Sequence, residues 1–118
     1  MKKYLRWIPA VIWALIIWRL TTTPQIVITE SSLLQAILMM FAHFIFFGIQ
    51  AGLLYFSFPH RPSTIISQSL IITSLYGALI EFRQLSVPGR TGDPFDWALD
   101  TLGAITFLFL LKKLQSKS

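Results

Sequence analysis

Four apolar runs, each close to the ~20 residues that an α-helix needs to cross a bilayer, take up most of this 118-residue chain. They cover approximately residues 4–20, 33–58, 63–82 and 94–111. Composition leaves no soluble alternative. Charged residues make up 13% of the chain against 54% hydrophobic and 14% aromatic, with a mean hydropathy of +0.64. That is about half the charge of an ordinary soluble domain, too little polar surface to cover a globule in water. In hydrocarbon, backbone N–H and C=O groups must be satisfied within the segment itself, so runs of this length are predicted to be helices. The expected fold is an all-α integral membrane protein: a single domain, residues 1–118, forming a bundle of four transmembrane helices in contact with the lipid bilayer.

The first run follows Lys2, Lys3 and Arg6, as in a signal peptide. What succeeds it, Arg19-Leu20-Thr21-Thr22-Thr23-Pro24, lacks the small-residue pattern of a cleavage site, so it reads as a retained span. Cleavage would leave three spans without moving the later turns to the other side. Pro9 falls in the first turns, where a missing N–H is tolerated, and Trp7 and Trp18 suit the two interfacial belts. Residues 21–32 form a polar, β-branched external connection. The second run is longer than a bilayer requires, so it is tilted or begins in the interface. Gly48 and Gly52 form a small-xxx-small pair suited to close helix contact, and His43 and Gln50 share a face. Pro59-His60-Arg61-Pro62 then makes a tight basic turn.

In the third run Ser74, Gly77, Glu81 and Gln84 fall on one stripe, which must face the bundle because lipid cannot satisfy it. Gln50 and Gln68 are expected to be interhelical hydrogen-bond partners. The turn that follows contains Pro88-Gly89 and Gly92. Asp93 is placed to cap the last helix, with Pro94 in its first position and Asp96 behind it.

The ten basic and five acidic residues give a net charge of +5. The basic residues punctuate the ends of apolar runs and are not gathered on a polar face, which argues for membrane anchoring and against nucleic acid. Lys2, Lys3, Arg6, Arg61, Lys112, Lys113 and Lys117 fall on one side, and Arg19, Arg83 and Arg90 on the other. The positive-inside rule therefore puts both termini in the cytoplasm. The absence of cysteine excludes disulfides and thiolate metal sites.

Four of the five acids lie between Glu81 and Gly103. Asp100 is the most demanding of them. It stands roughly 10 Å along the last helix from its cap, and an ionised acid at a membrane helix centre costs ~2.5–3.5 kcal/mol. Arg19 and Arg90 are its expected neutralising partners. His43 reaches a similar or somewhat greater depth, and Asp96, Asp100 and Gly103 share a face. A packing role competes with a functional one. Asp96 suits a purely structural role at the helix N-terminus, at about 0.3–1 kcal/mol, Arg83 reads as solvated, and the remainder can form a salt-bridge network. Buried ionisable groups in membranes are nevertheless functional candidates by default, so the candidate binding site is His43, Glu81, Gln84, Arg90, Asp96 and Asp100. Glu81 with Asp96 or Asp100 suits acid–base chemistry, and Arg90 suits a lipid phosphate. His43, Glu81, Asp96 and Asp100 are metal-ligand types, but no H-E-x-x-H or comparable spacing supports a site, so neither a metal nor any other cofactor is assigned. No Ser-His-Asp order, Walker loop or dinucleotide fingerprint is present.

Glu81-x-x-Gln84, then Pro88-Gly89-Arg90, then Asp96-x-x-x-Asp100-x-x-Gly103 resembles the signature of the VanZ-like family, as does Ala42-His43-Phe44 with Phe47-Gly48 in the second run. The resemblance covers runs two to four, while run one matches only in character. Asp100 stands where many members have asparagine. The resemblance implies a multi-pass protein of the bacterial cytoplasmic membrane, in a family whose founding member is linked to low-level teicoplanin resistance. It further implies an outward-facing site for an envelope lipid, a lipid-linked precursor or a glycopeptide. A membrane enzyme acting on a lipid-linked envelope substrate through Glu81, Asp96 and Asp100 is the alternative, and a non-catalytic accessory subunit a third. Oligomeric state is open.

Overall fold

The computed structural model describes residues 3–22, 31–58, 64–87 and 94–116. Among these, a 3-10 turn, Lys3–Trp7, leads into α1, Ile8–Thr22, and three further helices follow: α2, Ser32–Ser57; α3, Ile65–Gln84; and α4, Pro94–Ser116. All four spans are long and apolar enough to cross a membrane, the first including most of the 3-10 turn. Their limits follow from local chemistry. The Ser31 hydroxyl accepts the Leu34 N–H at 3.3 Å and caps α2, satisfying a backbone donor that the first helical turn leaves unpaired. Pro94 occupies the first position of α4, where its missing N–H has no intrahelical partner to lose. Beyond Gln84, the N–H groups of Leu85, Ser86 and Val87 turn back to the carbonyls of Phe82, Arg83 and Gln84. The α4 helix runs past the predicted apolar limit into its lysines, because helix formation does not stop where hydrophobicity does. Asp93 and the Pro59–Pro62 turn lie outside the described residues.

The α2–α4 contact is the most extensive in the bundle, and glycines on both helices make it possible. A Cβ on Gly103 would fall on the Phe44 carbonyl oxygen, one on Gly48 would strike the Phe107 ring, and one on Gly52 would meet Leu111 at 3.4 Å. These pairs keep a constant separation of 59 residues, so the helices run parallel and in register over two turns. Hydrocarbon offers helices no hydrophobic gain from association, so this close approach has to come from small residues and van der Waals contact.

Two apolar clusters fill the interior. Ala51, Tyr55, Ile65, Ala104 and Leu108 join α2, α3 and α4 in the half nearer the C-terminal end of α2. Ile17, Phe47 and Ile80 join α1, α2 and α3 higher up, with Trp13 and Trp18 packed on them. Trp18 is thus partly engaged by the core, and Trp7 packs edge-on to Phe58 at 5.0 Å. Four side-chain hydrogen bonds also tie the first helix to α2 and α3. Trp13 Nε1 donates to the Phe46 carbonyl at 2.9 Å, Gln50 Nε2 to Ala10 at 3.3 Å, Gln84 Nε2 to Thr21 at 2.9 Å, and the Tyr76 hydroxyl to Ala14. Gln50 therefore links helices as its sequence position suggests. Gln68 does not: it is exposed, one position off the buried α3 stripe of Ile65, Ser69, Thr73, Gly77, Glu81 and Gln84.

Candidate functional site

The buried stripe of α3 carries Glu81 to the place where α2 presents His43 and α4 presents Asp100. All three are removed from the surface, with Asp100 at 0% exposure, Glu81 at 7% and His43 at 9%. His43 Nδ1 lies 2.9 Å from Asp100 Oδ1, a buried hydrogen bond between residues 57 positions apart. The imidazole lies parallel to the Phe47 ring one turn below, with centroids 6.4 Å apart, so packing and hydrogen bonding fix it together. One ligand atom from each of His43, Glu81 and Asp100 lies within 4.8 Å of the other two.

Gly77 makes this convergence possible. A Cβ there would sit 3.0 Å from Asp100 Oδ2 and 3.3 Å from its Cβ, so glycine gives the Asp100 side chain room that a methyl group would crowd. One turn before Gly77, at Ser74, the same interface is held by polar contacts. Trp97 Nε1 donates to the Ser74 carbonyl at 2.9 Å, and the Ser74 and Thr101 hydroxyls are 2.9 Å apart. The Asp100 Oδ2 atom, by contrast, is buried without a hydrogen-bond partner among the described residues. A buried carboxylate oxygen left in that state loses its hydration with nothing in exchange, at about 1–3 kcal/mol or more for a charged group.

The six candidates from the sequence divide accordingly. His43, Glu81 and Asp100 form the cluster. Gln84 is buried at 2% exposure but is committed to α1 through the Thr21 carbonyl, so it positions helices around the site. Asp96, one turn nearer the start of α4, is half-buried. Arg90 lies outside the described residues. Of the basic residues expected near Asp100, Arg19 is exposed, and the side chain that meets the carboxylate is His43. Arg83 is exposed, as a solvated charge would be.

Two residues escaped the sequence reading. Ser69 and Thr73 are fully buried, with hydroxyls that are not hydrogen-bonded among the described residues. Their signal was present, because Ser69, Thr73, Gly77 and Glu81 recur every four positions. The stripe through Ser74 concealed it.

Beside the cluster, on the lipid-facing side, Ile37, Met40, Phe41, Phe44 and Leu99 line an apolar groove of about 230 Å³ between α2 and α4. Phe44 and Leu99 are the sequence neighbours of His43 and Asp100. An acidic, imidazole-containing centre next to an apolar slot suits a ligand with a polar head and a hydrocarbon tail.

The chain is similar to the family described as VanZ/LLP1, whose model matches residues 2–115. No curated protein and no solved structure matches it.

Proposed function

The chain belongs to the VanZ/LLP1 family, and from that footing we propose that it acts in the bacterial cytoplasmic membrane as an envelope protein recognising a lipid-tailed molecule. The ligand class is an envelope lipid, a lipid-linked wall precursor or a lipoglycopeptide of the teicoplanin type. The observation that carries this reading is the Asp100 carboxylate: fully buried in a membrane helix, hydrogen-bonded through Oδ1 to His43, and with Oδ2 left without a hydrogen-bond partner among the described residues. A cluster serving only to join helices would satisfy its own oxygens, since each unsatisfied group is a net cost in hydrocarbon. The polar head meets His43, Glu81 and Asp100, the tail lies in the groove of Ile37, Met40, Phe41, Phe44 and Leu99, and Arg90 in the following turn contributes a positive charge for an anionic substituent.

The second reading, favoured by the His43–Asp100 hydrogen bond, is a membrane enzyme. An imidazole held in orientation by a carboxylate, with a second carboxyl group close by, is an acid–base arrangement, and its substrate would be the same lipid-linked class.

Susceptibility assays test the site. Asp100→Asn and Glu81→Gln preserve size and remove charge, and in well-expressed protein each is expected to shift teicoplanin susceptibility or envelope integrity toward that of a strain without the gene. Unchanged phenotypes for both would leave the cluster with a packing role only, as in an accessory subunit.

A further inference from the structure

We infer that His43, Glu81 and Asp100 form a binding site for a divalent transition-metal ion, zinc by preference. The inference rests on the polar site proposed above and gives it a chemical identity. Three observations carry it. Each residue offers a ligand atom, all within 4.8 Å of one another. The His43 Nδ1–Asp100 Oδ1 separation of 2.9 Å needs to open by only ~0.5 Å to reach the ~3.4 Å that two ligands span around a tetrahedral ion with ~2.1 Å bonds. The Asp100 Oδ2 atom is wholly buried without a hydrogen-bond partner among the described residues, and Gly77 leaves room for it where any other residue would press on it.

The donor set selects the ion. One imidazole and two carboxylates suit zinc, manganese or iron better than calcium, which seeks six to eight oxygens, or magnesium, which keeps most of its water. Zinc accepts low coordination in a dry, compact site, and three protein ligands leave one position open to an outside oxygen. Electrostatics points the same way. Two carboxylates brought together in a low-dielectric interior repel one another and any anionic headgroup. A dication between them reverses the sign of the site, so that a phosphate or carboxylate head is attracted. The spacing along the chain conceals such a site, because each ligand comes from a different helix.

The full-length chain, purified in detergent with a tag free of histidine and stripped with chelator, is dialysed against Zn²⁺, Mn²⁺ or Mg²⁺, and bound metal is measured by mass spectrometry. Wild type is expected to retain about one Zn²⁺ per chain. Asp100→Asn, Glu81→Gln and His43→Gln are each expected to weaken binding at least about tenfold, while Gln68→Ala on the exposed face leaves it unchanged. Co²⁺ loaded into the wild type is expected to give visible absorption bands that Glu81→Gln alters, a readout that holds even if one variant fails to fold. Absence of stoichiometric Zn²⁺ or Mn²⁺ in folded wild type, or equal retention by all three variants, overturns the inference. If no ion binds while Asp100→Asn still changes teicoplanin susceptibility, the ion is refuted and the recognition site stands. An ion bound without any change in susceptibility supports the metal site and refutes the recognition role.

Discussion

His43 and Asp100 are each other's solution to a problem that burial creates. With the carboxylate truncated, the imidazole keeps its buried position and loses its partner, so Asp100→Ala is expected to lower stability by about 1–3 kcal/mol. Asp100→Asn keeps a side chain that can hydrogen-bond His43 Nδ1 and is expected to cost less, which is why it is the better probe of function. The double replacement His43→Phe with Asp100→Leu removes both polar groups together and is expected to recover most of the stability lost by Asp100→Ala, since an apolar pair of similar volume carries no desolvation cost. Denaturant unfolding in micelles separates the three. If the double variant is as unstable as Asp100→Ala, the pair is held by geometry that apolar packing cannot replace. The neighbouring Glu81 was legible in the sequence because it sits on a small, polar stripe. The partnership of His43 with Asp100 was not, because 57 residues separate them and no local spacing relates positions on different helices.

The glycines act at the level of helix pairs and rank themselves by what a methyl group would touch. At Gly103 it would meet the backbone carbonyl of Phe44, which cannot rotate away; at Gly48 it would meet the Phe107 ring, which can move; and at Gly52 it would meet Leu111 at an ordinary 3.4 Å. Alanine substitution is therefore expected to destabilise in the order Gly103 > Gly48 > Gly52, from about 1–3 kcal/mol to near zero, read as thermal melting in detergent. An equal effect at all three positions would mean that the α2–α4 approach is not what the glycines provide. Gly77→Ala makes a different prediction. Its methyl group would press on Asp100, 3.0 Å from Oδ2, so it is expected to disturb the polar cluster more than global stability, measured as loss of metal retention with a smaller change in melting. The GIQAG pair was readable as a contact surface, and so was Gly103. What the sequence could not supply was the partner of each glycine, since the same face of α2 suits a close approach to any neighbouring helix.

Across the whole molecule, the charge distribution predicts that both termini and the α2–α3 turn face the cytoplasm while the α3–α4 turn faces outward. The native chain contains no cysteine, so single-cysteine variants report cleanly. Ser86→Cys and Thr64→Cys, both at exposed positions, are expected to differ in intact cells, with the first labelled by a membrane-impermeant maleimide and the second labelled only after permeabilisation. The reverse pattern would place the polar cluster nearer the cytoplasmic face and remove its access to external ligands. That four helices form, and nearly where they begin and end, was determined by the sequence alone, because bilayer thickness and the need to satisfy every backbone group leave an apolar run of this length no other structure. Which helices touch was decided only in three dimensions. Small residues permit close approach without choosing a partner, and a buried polar group states its need for a hydrogen bond without saying who will meet it. The parallel seating of α2 on α4, the His43–Asp100 bond and the convergence of Glu81 on both arise where those separate requirements are satisfied together.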